Sequence, residues 1–114
     1  EKTELPQSFQ YGSLHSLAVV DLNGDGRIDI VSNEQEELLP PLRQNPRFIG
    51  WENLGNGRFE ERILLDLKLG GHELQAGDVD KDGDIDVCSK PWGTLPWNGA
   101  GGKMHVDFLE NRSK

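Results

Sequence analysis

Two acidic loops of one design stand 57 residues apart: Asp21-Leu22-Asn23-Gly24-Asp25-Gly26-Arg27-Ile28-Asp29 and Asp78-Val79-Asp80-Lys81-Asp82-Gly83-Asp84-Ile85-Asp86. Each carries oxygen-bearing side chains at positions 1, 3, 5 and 9 and Gly at position 6. Alternate residues of such a loop converge on one point, and the Gly permits the turn that aims the next carbonyl inward, as a hard cation such as Ca²⁺ requires. That carbonyl belongs to Arg27 in the first loop and to Asp84 in the second. A single loop of this kind also reads as a solvated acidic turn. Its recurrence predicts two Ca²⁺ sites, one built from Asp21, Asn23, Asp25, Arg27 and Asp29, the other from Asp78, Asp80, Asp82, Asp84 and Asp86.

The spacing excludes an EF-hand, which places a bidentate Glu at position 12 and flanks its loop with helices. Position 12 here is Ser32 or Ser89. The flanks Leu17-Ala18-Val19-Val20 and Ile28-Asp29-Ile30-Val31 are short, β-branched and partly alternating, so they read as strands.

The 57-residue shift aligns more than the loops. His15 falls on His72, Leu17 on Leu74, Ile28 on Ile85, Ile30 on Val87 and Ser32 on Ser89, while Trp51-Glu52-Asn53 matches Leu109-Glu110-Asn111 at a shift of 58. A period of this size marks repeat architectures, because one unit alone cannot bury its faces. The expected strands are about Leu17–Val20, Ile28–Ser32, Phe48–Asn53 and Phe59–Leu65 in the first unit. In the second they are about Leu74–Gly77, Ile85–Ser89 and Val106–Glu110. Leu54-Gly55-Asn56-Gly57 has hairpin chemistry. The shift also lays residues 1–13 on 58–70, the fourth-strand region, so the N-terminal segment is a weak outer-strand candidate with Pro6 suited to an edge. The units are therefore 1–57 and 58–114.

Four short antiparallel strands per repeat make a propeller blade, and the fold class expected is all-β, with two four-stranded propeller-type blades. Propellers typically close with 4–8 blades. Two blades therefore imply either a piece of a longer propeller or copies joined head to tail in a ring.

Composition agrees and narrows the class. With 14 Gly and 34% hydrophobic residues in 114, the chain suits one turn-rich β domain. Its net charge of −8 opposes nucleic acid and anionic membrane surfaces, although two bound Ca²⁺ ions halve that value. The single Cys88 cannot form an intrachain disulfide, and its apolar neighbours predict a buried thiol. No apolar stretch approaches the roughly 18 residues of a membrane span. The chain opens at Glu1 without a signal peptide, which suggests a processed form, an excised piece or an open-ended fragment.

Residues Leu17–Ser32 and Leu74–Ser89 resemble FG-GAP/VCBS repeats, the blades of integrin-α-type β-propellers, which carry a DxDxDGxxD calcium loop between their first two strands. Trp51-Glu52-Asn53-Leu54-Gly55-Asn56-Gly57-Arg58-Phe59 is similar to the W-x-N-x-G-x-G-x-F run that ends VCBS-type blades. The resemblance covers most of the chain outside the loops 34–46 and 91–103. It implies the metal ligands named above, an extracellular or periplasmic setting and a role in adhesion, sugar binding or support of a secreted enzyme. Asn23 supplies a neutral oxygen where its counterpart Asp80 is charged, so the first site is expected to be the weaker. The departure from the family is the count of two blades, where about seven is usual.

Loops alternate between the two ends of an antiparallel blade, so the end opposite the calcium loops collects His15, His72, Lys90, Trp92 and Trp97. Two indoles among polar groups on Gly-rich loops suit a sugar face; they equally suit a wedge between blades. The two histidines either ring a channel mouth or simply bond neighbouring carbonyls. No nucleophile elbow, HExxH or phosphate-loop context occurs, so the chain is expected to be non-catalytic. The function expected is that of a calcium-binding module for extracellular recognition of a glycan (lectin-like) or a protein ligand. The alternative is a structural segment that scaffolds an enzyme or assembles into a ring.

Overall fold

The structure is a computed structural model that describes residues 4–9, 11–35, 46–91, 93 and 99–112. Seven strands follow in order: β1 (Leu14–Val20), β2 (Asp29–Glu34), β3 (Phe48–Gly55), β4 (Arg58–Leu65), β5 (Glu73–Gly77), β6 (Asp86–Lys90) and β7 (Asp107–Leu109). They form two antiparallel sheets, β1-β2-β3-β4 and β5-β6-β7, with no helix among the described residues. Among the described residues the second sheet has the three strands expected in that unit, one short of a four-stranded blade.

Period-2 alternation put all seven strands within about three residues of their expected places. The β3–β4 connection is a two-residue turn at Asn56-Gly57, both with positive φ (56° and 73°), which matches the twist of the flanking strands. The N-terminal segment is a correction. Residues 4–9 and 11–13 form no strand: they meet the edge strand β4 through the Glu61 carboxylate, which accepts bonds from Ser8 and Tyr11, and not through backbone pairing. They lie instead across the first sheet, where Trp51 Nε1–H donates to the Pro6 carbonyl at 2.9 Å and the Tyr11 ring meets Trp51 edge-on.

The two sheets stack with a polarity. Val31 and Phe48 of the first sheet, with Ala18, Leu64 and Leu65, pack on Leu74, Val87 and Leu109 of the second. Under the repeat shift these last three correspond to Leu17, Ile30 and Trp51, which occupy the other face of the first sheet. One face of a unit therefore meets the opposite kind of face on the next. The outward face of the first sheet keeps Leu17 62% and Val19 56% exposed. Cys88 corrects the expectation of a buried thiol: alternation points Val87 into the core and turns Cys88 to the other side, where it is half-buried.

Polar bonds register the stack. Leu74 N–H donates to Ser16 Oγ (3.1 Å), Asn33 Nδ2 to Ser89 Oγ (2.5 Å) and Gly71 N–H to the Glu34 carbonyl (2.9 Å). The crossing is tight at Gly70, where a Cβ would stand 2.1 Å from the Glu34 carbonyl oxygen and 2.3 Å from Pro46 Cβ.

Candidate metal centre

Both acidic loops are wound by the same chain of side-chain-to-backbone bonds. At position 1, Asp21 Oδ2 accepts Gly26 N–H (2.8 Å) and Asp78 Oδ2 accepts Gly83 N–H (2.9 Å). At position 3, Asn23 Oδ1 and Asp80 Oδ1 accept the N–H of Asp25 and Asp82, each at 3.3 Å. At position 5, Asp25 Oδ1 accepts Arg27 N–H (2.9 Å) and Asp82 Oδ1 accepts Asp84 N–H (2.8 Å). Short Asx side chains that bond two residues ahead curl the backbone, and left-handed φ at Gly26 (86°) and Gly83 (93°) completes the turn.

Position 9 does something the spacing alone did not reveal. Asp29 and Asp86 are buried, and each carboxylate ties its loop to the third-strand region of its unit, Asp29 to β3 and Asp86 to the residues just after β7. Asp29 accepts Leu22 N–H (2.9 Å) and Asn53 N–H (2.8 Å); Asp86 accepts Val79 N–H (3.0 Å) and Asn111 N–H (2.9 Å). The amides of Asn53 and Asn111 answer by donating to the carbonyls of Ile28 and Ile85, each at 3.0 Å. The signal was present in the sequence, since Asn53 and Asn111 repeat almost in register with the aspartates. The Asn111 N–H bond is the main reason that the Asp86 carboxyl titrates below its usual range.

In the second loop Asp78, Asp80 and Asp86 each offer an oxygen, and the three lie within 4.8 Å of one another. That trio can hold a metal ion, because charge-dense oxygens at such separation repel one another unless a cation lies between them. The Asp80 carboxyl titrates above its usual range, through desolvation first and then through the negative charges of Asp82 and Asp86, against an opposing bond from Asp82 N–H. Asp82 stands outside the trio, its Oδ1 engaged by the backbone.

The first loop is wound alike but charged differently. Arg27 donates to Asp25 twice, from its backbone N–H to Oδ1 and from Nη2 to Oδ2 at 2.9 Å, so its guanidinium neutralises the position-5 carboxylate. Its Nε–H is anchored on the Asn53 carbonyl (2.9 Å). Asn23 turns its amide to Glu52 Oε2 (3.1 Å). Formal charge over the nine residues is −2 here and −4 in the second loop.

At the opposite end, the structure brings His15 and His72 together. Their rings stack with centroids 3.6 Å apart, and His15 Nδ1 lies 3.2 Å from the His72 carbonyl oxygen. The pair joins β1 to the start of β5. Lys90 is exposed and pairs with Glu73 at 3.4 Å. Trp92 and Trp97 lie outside the described residues. A feature that the sequence did not disclose is the buried Glu34–Arg47 ion pair. Arg47 Nε meets Glu34 Oε1 at 2.5 Å, and its guanidinium covers the Phe9 ring at 3.8 Å. No helix among the described residues is long and apolar enough to cross a membrane.

Comparison with protein-family models, with curated proteins and with solved structures found no match. The geometry of the loops and sheets therefore carries the functional reading by itself.

Proposed function

We propose that the chain is a calcium-binding β-propeller repeat module of the FG-GAP/VCBS type, non-catalytic, working outside the cell or in a periplasm. The carrying observation is the convergence of Asp78, Asp80 and Asp86 within 4.8 Å in a loop whose backbone is already wound. Only oxygen donors converge there, which favours Ca²⁺ over metals that seek nitrogen or sulfur. The first loop, with the same winding, is the second Ca²⁺ site. Open surface loops of this kind suit the high calcium of extracellular fluid. When bound, the ion supplies positive charge at the base of each unit. The residues around it do the rest: Asp29 and Asp86 pass that restraint to β3 and to the end of β7 through Asn53 and Asn111.

Recognition belongs to the opposite end, near His15, His72 and Lys90, with a glycan or a protein as ligand. Its polar, ring-bearing groups support a sugar-binding surface. Calorimetric titration with Ca²⁺ tests the first half of the proposal, and two binding events of unequal affinity are expected. Heat indistinguishable from dilution would sink it. A glycan array probed with Ca²⁺-saturated protein tests the second half; silence there favours the structural alternative. That alternative has its own support in the exposed Leu17, Val19 and Val106, which suit coverage by further units.

A further inference from the structure

In the first sheet β4 fills the outer place, and its Leu64 and Leu65 lean across to the second sheet, against the Leu74, Val87 and Leu109 cluster. The repeat equivalents of those three residues are Leu17, Ile30 and Trp51. Leu5 of the N-terminal segment lies beside that same trio, and the Pro6 carbonyl accepts the Trp51 indole N–H. Residues 4–9 thus stand to the first sheet as β4 stands to the second. They are placed as an outer strand but have no sheet of their own.

The second sheet shows the reciprocal lack. Among the described residues its edge strand β7 has no fourth strand beside it. An open groove of about 570 Å³ runs there, walled by Leu64, Leu65, Leu67 and Leu69 on one side and by residues 106–111 on the other. Asp107 borders this groove 9% exposed. Its Oδ1 meets His105 Nδ1 at 2.9 Å, while Oδ2 is buried without a hydrogen-bond partner. A buried carboxylate oxygen without a donor is costly, and here it adjoins an edge whose backbone groups are also open.

We propose that residues 4–9 of one copy add as the fourth strand along β7 of a second copy. Among the described residues no segment of the same copy reaches that edge: residues 4–9 are pinned on the far face of the first sheet by the Pro6–Trp51 bond, while β7 lies beyond the near face. The join is heterologous, one kind of surface against another, so copies linked this way run head to tail and close where the rotation permits. Backbone pairing gives the contact, the leucine wall gives it apolar surface, and Pro6 is tolerated because an outermost strand needs bonds on one side only. This inference rests on the repeat-unit part of the proposed function and not on calcium.

The test pairs mass with a directed cross-link. Light scattering on Ca²⁺-saturated protein, over a concentration series, should give integral multiples of the 12.7 kDa chain, at least a dimer. Gln7→Cys and Phe108→Cys, placed together in a Cys88→Ser background, should form a disulfide under mild oxidation. In a mixture of ¹⁵N-labelled and unlabelled protein that disulfide should join light to heavy copies. Circular dichroism of the triple variant checks that the sheets persist. A monomeric mass at every concentration overturns the proposal, as does a disulfide confined within single copies; the edge then takes a strand of some other polypeptide. Calcium titration of the same samples separates the two readings, because mixed cross-links without calcium heat sink only the calcium assignment.

Discussion

At the scale of single residues, the position-9 aspartate has two separable duties. Asp86 belongs to the converging trio and also accepts two backbone N–H groups inside the protein. Asp86→Ala should therefore cost about 1–3 kcal/mol even with a chelator present, because Val79 and Asn111 N–H lose their acceptor. Asp80→Ala should remove chiefly the calcium-dependent part of the stability, since the exposed Asp82 N–H that it accepts is also bonded to Asp78 Oδ1. Thermal melts with and without chelator tell the two apart. The pH dependence has a definite sign. The folded-state pKa of Asp86 is depressed, so its contribution is complete above the unfolded value of about 3.9 and is lost as pH falls through the folded one. The stability gap between wild type and Asp86→Asn should accordingly close in acid below about pH 4. Arg27 acts in the other loop. Its pairing with Asp25 is partly solvated and is worth at most about 1 kcal/mol, so Arg27→Gln should tighten calcium at the first loop by no more than about fivefold. A titration in which the weaker site does not move would refute that competition.

Among the elements, the end of β2 and the start of β3 share a buried ion pair. Glu34 closes β2, Arg47 precedes β3, and both are almost wholly shielded from water. Glu34 Oε2 also accepts the N–H of Gly12 at 2.7 Å, so the pair holds the N-terminal segment as well as two strands. Arg47→Ala should cost about 3–5 kcal/mol, since it strands a carboxylate in a dry site. Hydrogen exchange should then quicken in residues 11–13 before it does in β5 and β6. The strands themselves were legible because alternation is a local signal, and the hairpin turn was legible from Asn56-Gly57. The ion pair was not, because nothing in the composition of Glu34 and Arg47 separates a buried charge from a surface one. The same limit applied to Asp29 and Asp86: spacing marked them as candidate ligands, while their bonds to Asn53 and Asn111 depend on partners 24 and 25 residues away. The outer strand expected in the N-terminal segment failed for a related reason. A strand needs a neighbour, and the shift could place the segment without supplying one.

For the whole molecule, a calcium-binding chain should couple metal and fold, because the unfolded chain has no formed site. At free calcium a hundredfold above the dissociation constant, one site adds about 2.7 kcal/mol, so chelation should lower the melting temperature by roughly 10 °C. A melt unchanged by chelator would show that the loops bear no ion that matters to stability. The second sheet should lose more than the first, since its loop carries the greater uncompensated charge.

The stacking polarity has a further consequence for how such a chain can change over generations. Sheets packed back to back would satisfy each other in pairs and stop. Here the face formed by Ala18 and Val31 meets the other kind of face, formed by Leu74, Val87 and Leu109, so each sheet receives on one side and offers on the other. A tandem duplication of the 57-residue stretch would insert a sheet that finds both neighbours already shaped for it. Descendants of this sequence can therefore lengthen by whole periods without inventing a new contact, whereas a duplication of any other length would put polar surface against the core.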